Sequence, residues 1–532
     1  MKTLSLSQPI SIARHCSTLL QRCMKPKALK PCKQIHAFML TSHIHMNVFS
    51  LSSKLIGAYA CCGDLVSSKL LFQETKDPNV FAFNWMIHES TRSGLHDEAF
   101  RYFSLSLESR NSNSSPNKHT FSTILKCCVC LLDVDLGKLV HGLVYKMGLL
   151  KDLHVCNALI GMYAKCSDVG SARRLFDIMA ERDVASWTIM ISGYADVGKI
   201  DESVFLLERM RLEGNDKPNE FTWNAIIAGL AKNGECDGAF RYFSLMGEEG
   251  LVPDTATWNA IISGFVQSQR AFEALTFFRE MLISGIKPNQ VTLSVVLPAC
   301  GMIASARVGK EIHGLLYRME LDMNVFVASA LIDMYSKCGS IKGAQCIFNS
   351  ISEKSTALWN VMIGCYGKHG LVGSAIKLFE NMLSNKVQPN EVTFTSVLSA
   401  CGHGGLVEKG LEIFKSMDSC CVRANSEHYS CLVDLLCRYG RMDEAYRVIS
   451  HIGEEITNST IGAFLSGCKV HGRRDLAEKI CDQRVGMDVK RPESFVTLAN
   501  IYAAEGEWGA VEDVRKVMKD KKVAKKPGSS SV

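Results

Sequence analysis

The stretch Asn224-Ala-Ile-Ile-Ala-Gly-Leu-Ala-Lys-Asn-Gly234 recurs in the chain as Asn259-Ala-Ile-Ile-Ser-Gly-Phe-Val266 and as Asn360-Val-Met-Ile-Gly-Cys-Tyr-Gly-Lys-His-Gly370. Apolar residues stand at helical spacing in these copies, and in two of them a glycine, Gly234 or Gly370, follows where a helix would stop. A second segment of helical spacing follows, for example at residues 239–246 and 375–382. The pattern predicts a repeated unit of helix, tight turn and helix.

The length of the unit follows from the places where proline precedes asparagine or aspartate. These are Pro116-Asn117, Pro218-Asn219, Pro253-Asp254, Pro288-Asn289 and Pro389-Asn390. The distances between their second residues are 102, 35, 35 and 101, so one unit has 35 residues and each long gap hides a further two, one of them shorter. Proline cannot continue the second helix, which fits its place near the end of each unit.

Length and composition agree with a repeat array. The chain has 532 residues, whereas a single hydrophobic core stops growing at roughly 250–300 residues. One helical pair cannot bury its apolar face alone, but stacked pairs bury a continuous core. We therefore predict an all-α fold, a right-handed superhelical solenoid of tandem helix-turn-helix repeats. No stretch of about 18 uncharged apolar residues occurs, so we expect no membrane span.

The N-terminal region is basic, and the first acidic residue is Asp64. Such a leader, rich in serine, is typical of a mitochondrial or plastid transit peptide, although a basic first repeat gives the same composition. We predict a transit peptide over residues 1–30, overlapping a degenerate first repeat at about 11–47. Arg14 and Arg22 favour the mitochondrion, with the chloroplast as the alternative. The net charge of +6 permits binding to a polyanion without requiring it.

The 22 cysteines recur at fixed points of the repeat, as in Tyr-Ala-Lys-Cys166 and Tyr-Ser-Lys-Cys338. We interpret them as small buried thiols in a reducing compartment.

Three further motifs identify a family. They are Val392-Thr-Phe-Thr-Ser-Val-Leu-Ser-Ala-Cys401, Ala330-Leu-Ile-Asp-Met-Tyr-Ser-Lys-Cys-Gly339 and His428-Tyr-Ser-Cys-Leu-Val-Asp-Leu-Leu436. The chain resembles the plant pentatricopeptide repeat family, in its arrangement of alternating P, L and S motifs. The resemblance implies about 12–13 repeats within residues 11–457. After the degenerate first one, the motifs are S at 48–79, P at 80–117, L at 118–152, S at 153–183, P-like repeats at 184–219, 220–254 and 255–289, L at 290–324, S at 325–355, P at 356–390, a variant L at 391–425 and a variant S at about 426–457.

The C-terminal residues 458–532 resemble the family's E region followed by a truncated E-plus region. The stretches Phe464-Leu-Ser-Gly-Cys-Lys-Val-His-Gly472 and Ala499-Asn-Ile-Tyr-Ala-Ala-Glu-Gly506 carry this resemblance. Many relatives continue into a cytidine deaminase domain, which needs His-x-Glu and Pro-Cys-x-x-Cys to hold zinc and move protons. The chain offers only His96-Asp-Glu98, at a predicted turn, and Cys127-Cys-Val-Cys130, without the proline. We expect no catalysis by this chain, and no metal or cofactor.

The resemblance places base reading at the fifth and the last residue of a motif. An asparagine amide there offers both a donor and an acceptor to a base edge. The implied pairs are Ser52 with Asn79 for A, Asn84 with Asn117 for C or U, Asn157 with Asp183 for U, Thr188 with Asn219 for A, Asn224 with Asp254 for U, Asn259 with Asn289 and Asn360 with Asn390 for C or U, and Ser329 with Ser355, which departs from the code.

The L motifs match the code poorly, so the implied 5′→3′ target is A-Y-n-U-A-U-Y-n-n-Y, with Y a pyrimidine and n any base. The alternative role for each fifth-position asparagine is that of a helix N-terminal residue. Phe49, Phe81, Phe221 and Phe326 stand second in their motifs. Bases stack on aromatic rings at that place in the family, and core packing is the alternative.

The resemblance implies that the chain binds single-stranded organellar RNA and is a site-recognition factor for C-to-U RNA editing. Its partners would be a DYW-type cytidine deaminase acting in trans and multiple organellar RNA-editing factor proteins, with no membrane contact. Two alternatives stay open: RNA binding for splicing, stability or translation without editing, and a protein-interaction scaffold.

Overall fold

The computed structural model describes residues 7–25, 28–42, 44, 50–109, 112–213, 217–452, 457–485, 496, 499–503 and 506–520. Residues 1–6 of the predicted transit peptide and residues 521–532 of the predicted E-plus region lie outside them. The chain divides into two compact units, Met1–Gly264 and Phe265–Val532. Helices follow one another throughout the described residues, without a strand. The predicted all-α fold class is confirmed.

The first unit contains α1 (Ser7–Cys23), α2 (Leu29–Thr41), α3 (Leu51–Cys61), α4 (Leu65–Glu74), α5 (Val80–Arg92), α6 (His96–Glu108), α7 (Lys118–Leu131), α8 (Val134–Lys146), α9 (Leu153–Lys165), α10 (Val169–Ile178), α11 (Val184–Asp196), α12 (Ile200–Glu213), α13 (Glu220–Lys232) and α14 (Cys236–Glu248). The unit boundary falls within α15 (Thr255–Gln267). Short 3₁₀ turns occur at Ser112–Ser114 and Leu149–Lys151.

The second unit contains α16 (Ala271–Ile283), α17 (Gln290–Met302), α18 (Ala306–Arg318), α19 (Val325–Lys337), α20 (Ile341–Ser350), α21 (Thr356–Lys368), α22 (Val372–Ser384), α23 (Glu391–Gly404), α24 (Val407–Ser419), α25 (Ser426–Arg438), α26 (Met442–Ile452), α27 (Asn458–His471), α28 (Arg474–Val485) and α29 (Trp508–Asp520). Among the helices described above, none is long and apolar enough to cross a bilayer.

The first helix of each repeat carries most of the core. In α13 the buried residues include Trp223, Ile226 and Leu230, whereas α14 buries only one narrow face. A first helix packs on its own partner and on the first helix of the next repeat, as α11 does on α12 and α13 and α21 does on α22 and α23. Gly234 ends the first helix of its repeat with φ at +82°, a conformation that glycine adopts without strain. The glycine stop predicted from the repeat is confirmed there.

Neighbouring first helices approach closely at glycines. A Cβ atom added to Gly229 would lie 2.3 Å from Cβ of Ala195 on the preceding first helix. Gly193 meets Ala164 in the same way, at 2.7 Å. The obstructing atoms belong to short, rigid groups, so they cannot turn aside.

A histidine and a tyrosine close three junctions that lead into an S motif, those after the degenerate first repeat and after the L motifs at 118–152 and 290–324. Nδ1 of His36, His141 and His313 lies 3.0, 2.9 and 3.0 Å from the hydroxyl of Tyr59, Tyr163 and Tyr335, respectively. Burial lowers the pKa of each of these histidines below its usual value of 6.5. The rings are therefore neutral at the pH of a cell compartment near 7.

The cysteines of the described residues are all free thiols. Burial raises the pKa of Cys300 and of Cys437 to about 12, which keeps both protonated. Such thiols pack as small apolar groups, and the interpretation of the cysteines as buried structural residues is confirmed at these positions.

We predict that Gly229→Ala lowers the free energy of unfolding by about 1–3 kcal/mol, because the new methyl group forces α11 and α13 apart. The matched control is Gly247→Ala on α14, where nothing lies within 4 Å of the added atom. This control gains up to about 1 kcal/mol from the higher helix propensity of alanine. Urea unfolding followed by circular dichroism measures both, and equal effects would contradict the close approach.

We predict that the protein loses stability as the pH falls below about 6.5, because the unfolded chain then binds protons that the buried histidines resist. The variant His141→Gln keeps a hydrogen-bonding group beside Tyr163 and cannot titrate. Its melting temperature therefore falls less than that of the wild type between pH 7 and pH 5. Parallel curves for the two proteins would show that His141 does not contribute.

Candidate nucleic-acid interface

Ser355 precedes α21 without a side-chain cap, and α3 begins after Ser50, within the first S motif. In the other predicted repeats, the last residue is the N-cap of the next first helix. Its side-chain oxygen accepts the backbone N–H of the residue three positions on, as Asn390 does from Thr393 at 3.1 Å and Asp254 from Thr257 at 2.9 Å. The same cap occurs at Asn79, Asn117, Asp152, Asp183, Asn219, Asn289, Asn324, Asn425 and Thr457. Such caps contribute about 1 kcal/mol each.

The fifth residues lie inside the first helices, one turn beyond the cap. The alternative role of the fifth-position asparagines as helix N-terminal residues is therefore wrong, and the last residues fill that role instead. A side-chain hydrogen bond joins the fifth residue of a motif to its last residue. Nδ2 of the fifth residue donates to Oδ1 of the last residue in four pairs: Asn84–Asn117 at 3.3 Å, Asn157–Asp183 at 3.1 Å, Asn224–Asp254 at 3.3 Å and Asn360–Asn390 at 3.0 Å.

A third side chain completes each of these clusters, and the sequence analysis missed it. It is the hydroxyl residue three positions into the following repeat. Thr120 donates to Oδ1 of Asn84 at 2.5 Å, Ser186 to Asn157 at 2.7 Å and Thr393 to Asn360 at 2.7 Å. Thr257 makes the same short contact with Asn224. These hydroxyl residues are fully buried.

The two aspartates of the clusters are held in their charged form. Burial acts to raise the pKa of Asp183 and of Asp254, but hydrogen bonds from the cap and from the fifth residue outweigh it. Ser186 and Asn157 donate to the first, and Thr257 and Asn224 to the second, so each pKa lies below its usual value. A carboxylate at this place accepts hydrogen bonds and cannot donate one.

One predicted pair is arranged differently from the four direct ones, because a hydroxyl bridges it. Thr188 reaches Asn219 through Thr222, whose hydroxyl lies 2.8 Å from that of Thr188 and donates to Asn219 at 3.1 Å. Asn259 lies in the first unit and Asn289 in the second. Asn289 caps α17 through the N–H of Thr292 at 2.9 Å.

In the first S motif, the residue that contacts the last residue stands one position later than predicted. Ser53, and not Ser52, donates to Oδ1 of Asn79, at 2.6 Å. Tyr59 gives the reason: it follows Ser53 by six residues, as Tyr163 follows Asn157, and both tyrosines meet a histidine of the preceding repeat. The predicted Ser52 differs from this contact by one residue, and His36 and Tyr59 are 23 residues apart, one more than His141 and Tyr163.

The pair Ser329 and Ser355 is not joined. Both hydroxyl oxygens are buried and have no hydrogen-bond partner within the described part of the chain. The residue three positions into the next repeat is Leu358, which brings no hydroxyl. This agrees with its departure from the code in the sequence.

In the three L motifs the fifth and last side chains bind elsewhere. The fifth hydroxyl donates to a carbonyl of its own helix, as Ser294 does to Val291 at 2.8 Å. The last residue instead contacts the first residue of its own motif: Lys118–Asp152 at 3.3 Å, Gln290–Asn324 at 2.9 Å and Glu391–Asn425 at 3.2 Å. The poor match of the L motifs to the code therefore has a structural counterpart.

The second residue of several motifs projects an aromatic ring. Phe81, Phe221 and Phe326 are 61%, 75% and 75% exposed. Core packing, the alternative for these residues, is therefore wrong for all three, whereas Phe49 lies outside the described residues. Phe81 and Phe221 stand three residues before Asn84 and Asn224 of the joined clusters, so each ring offers a planar ligand a stacking surface near polar groups, whereas Phe326 precedes the unjoined Ser329.

The variant S motif holds one more cluster that the sequence analysis did not name. The hydroxyl of Ser430 lies 3.2 Å from that of Thr457 and 2.5 Å from that of Thr460. The spacing of Thr457 from Ser430, read as last and fifth residues, could have found it.

The two partial deaminase motifs come close to one another without forming a site. Nδ1 of His96, the first residue of α6, lies 3.3 Å from Sγ of Cys127. Across the part of the chain that the structure describes, no third histidine, cysteine or carboxylate joins such a pair to make a metal site.

Comparison with known proteins extends these observations. A model of the PPR repeat family matches residues 218–265, 253–302 and 354–403. A PPR repeat model matches residues 154–184, 185–215, 326–355, 392–422 and 427–455, and an E motif model matches residues 471–532.

Similar proteins cover nearly the whole chain. A pentatricopeptide repeat-containing protein of Arabidopsis thaliana is 32% identical over 95% of this chain and 73% of its own length. A mitochondrial relative from the same plant is 32% identical over 97% of this chain and 64% of its own, and a chloroplastic one is 34% identical over 90% and 63%. The crystal structure of the maize pentatricopeptide repeat protein PPR10 shares the fold, with a TM-score of 0.59 at 16% identity over 95% of this chain and 78% of that one. Repeat geometry, motif matches and relatives together show that the chain belongs to the pentatricopeptide repeat family.

Proposed function

We propose that this protein is a sequence-specific single-stranded RNA-binding protein that reads one base per repeat in its P and S motifs. The observation that supports this most strongly is the recurring cluster of fifth and last residues beside an exposed second residue. Repeat proteins of this family class read one base per helical repeat with two or three side chains. A polar pair next to an aromatic ring supplies the hydrogen-bonding edge and the stacking face that such reading needs.

Each cluster of fifth and last residues is assigned one base of the target. Ser53 with Asn79 replaces Ser52 as the reader of the first nucleotide, and the code still assigns A there. The pairs ending in the ionised Asp183 and Asp254 take U, whose ring N–H is a donor that a carboxylate accepts. The proposed target stays A-Y-n-U-A-U-Y-n-n-Y, in which the L motifs and the unjoined Ser329–Ser355 pair face the unspecified bases.

Within RNA binding, we propose a role as a site-recognition factor for organellar C-to-U editing. The support is the match of residues 471–532 to the E motif, which follows the repeats. In this role the chain selects nucleotides upstream of a target cytidine, and the E region recruits a DYW-type deaminase in trans, together with multiple organellar RNA-editing factor proteins. The relatives that are named for an organelle are mitochondrial or chloroplastic. We place this protein in the mitochondrion on the basis of Arg14 and Arg22, with the chloroplast as the alternative.

A second function is favoured by the three consecutive P-like repeats at 184–219, 220–254 and 255–289. Such a run allows contiguous base reading without intervening L motifs, which suits a factor for splicing, stability or translation of one transcript. Protein scaffolding, the third class, needs no polar clusters of this kind.

We expect that plants lacking this protein lose editing at one or a few organellar cytidines, each preceded by a match to the target string. Sequencing of the organellar transcriptomes measures this, and a plant re-expressing the wild-type protein is the control. Intact editing with altered splicing or transcript ends would contradict the editing role and favour the second function. Unchanged RNA would favour the scaffold.

A further inference from the structure

We infer that the hydroxyl residue three positions into a repeat is a positioning residue for base reading by the preceding repeat. The residues in question are Thr120, Ser186, Thr257 and Thr393. This inference rests on the proposed function, and it adds a third determinant to the fifth and last residues.

The last residue, which caps the next helix, sets the orientation of the fifth-position amide. Oδ1 of the last residue accepts the backbone N–H of the third residue, so an acceptor faces the fifth side chain, as at Asp254. The fifth residue must therefore turn its Nδ2 toward the last residue, as Asn224 does at 3.3 Å. If the amide turned the other way, two acceptor oxygens would face one another without a proton between them.

One proton then holds the other end of the amide. Oδ1 of Asn360 lies 2.7 Å from Oγ1 of Thr393, and Oδ1 of Asn157 lies 2.7 Å from Oγ of Ser186. Two oxygens approach this closely only when a proton lies between them, and the amide oxygen has none to give. The hydroxyl therefore donates. Oδ1 of the last residue is a second acceptor for the same proton, but it lies farther away, at 3.0 Å for Asn390 and 2.8 Å for Asp183. The buried position of the hydroxyl means that water does not compete for this proton.

The fifth-position amide is therefore held in a single orientation. One Nδ2 proton binds the last residue and one Oδ1 lone pair binds the hydroxyl, which leaves one donor and one acceptor in fixed places for a base edge. An asparagine without the hydroxyl is held only by its contact with the last residue, so the half turn that exchanges these two groups costs less. A reading position of that kind would discriminate less strongly between bases with exchanged donor and acceptor groups.

The sequence carries an independent sign of this coupling. Every fifth-position asparagine, namely Asn84, Asn157, Asn224, Asn259 and Asn360, has threonine or serine at the third position of the next repeat. Four of the five fifth-position serines, Ser53, Ser122, Ser294 and Ser329, are followed there by Ala82, Val155, Val327 and Leu358, and the exception is Ser430, which is followed by Thr460. Helix capping alone does not explain the difference, because Asn79, Asp152 and Asn324 cap their helices before Ala82, Val155 and Val327.

Thr257→Val tests the inference, because valine keeps the shape and the backbone N–H and removes only the hydroxyl. The full chain is assayed by fluorescence anisotropy with two ten-nucleotide RNAs of the target string that carry U or A at the sixth nucleotide, which faces Asn224 and Asp254. We expect the preference for U to fall by about fivefold or more, the factor of one net hydrogen bond. Thr257→Ser restores the hydroxyl and retains the preference.

Thr222→Val is the matched control, because it removes a buried hydroxyl from the same place in the preceding repeat, where the fifth residue is Thr188. It leaves the preference at the sixth nucleotide unchanged. If Thr257→Val kept the full preference for U, the inference would be overturned. If the wild type itself showed no preference there, the proposed base reading would fail and the inference with it. Should Thr257→Val not fold, as judged by circular dichroism, Thr393→Val with a substitution at the tenth nucleotide decides in the same way.

Discussion

The helix cap at each repeat boundary is the constraint on which the rest of the structure depends. A first helix begins with unpaired backbone N–H groups, and a polar side chain must satisfy them. In this chain that side chain belongs to the last residue of the preceding repeat, as with Asn390 before α23. The cap fixes where one repeat ends and where the next first helix points. It also places an oriented polar atom beside the fifth residue of the repeat that it closes.

This arrangement joins stability to specificity. The oxygen that caps α15 is the same Oδ1 of Asp254 that accepts from Asn224. A residue chosen for base reading must therefore also be an adequate cap, and asparagine and aspartate are among the best caps known. Under the proposed function, the preference of the repeat boundary for these two residues follows from both demands at once. In the L motifs the cap remains, but the last side chain binds the first residue of its own motif, so capping and reading are separated.

Much of this could be predicted from the sequence. The recurrence of Pro before Asn or Asp and the apolar spacing of residues 224–234 were enough to predict paired helices and the all-α class, because both signals come from local rules of helix formation. The positions of Asn84, Asn157, Asn224 and Asn360 beside their last residues also agree with the motif spacing. These are short-range consequences of a regular repeat.

Three features could not be predicted, each for a physical reason. The register of Ser53 depends on how Tyr59 packs against His36 of another repeat, which motif counting does not see. The exposure of Phe221 depends on which face of α13 packs inward, and an aromatic residue near a helix start is compatible with either face. The hydroxyl of Thr257 has an ordinary role as part of a helix cap, so its contact with Asn224 emerges only when two repeats are stacked.

The central claim is that the joined clusters of the P and S motifs each select one nucleotide, whereas the L motifs do not. Selection from a pool of fully randomised RNA by the purified full chain, followed by sequencing, tests it most directly. The account predicts enrichment of pyrimidines at the nucleotides facing Asn84, Asn157, Asn224 and Asn360, in the spacing of the repeats, and no base preference opposite the L motifs. Enrichment that ignores this spacing, or equal preference opposite L motifs and joined clusters, would contradict it.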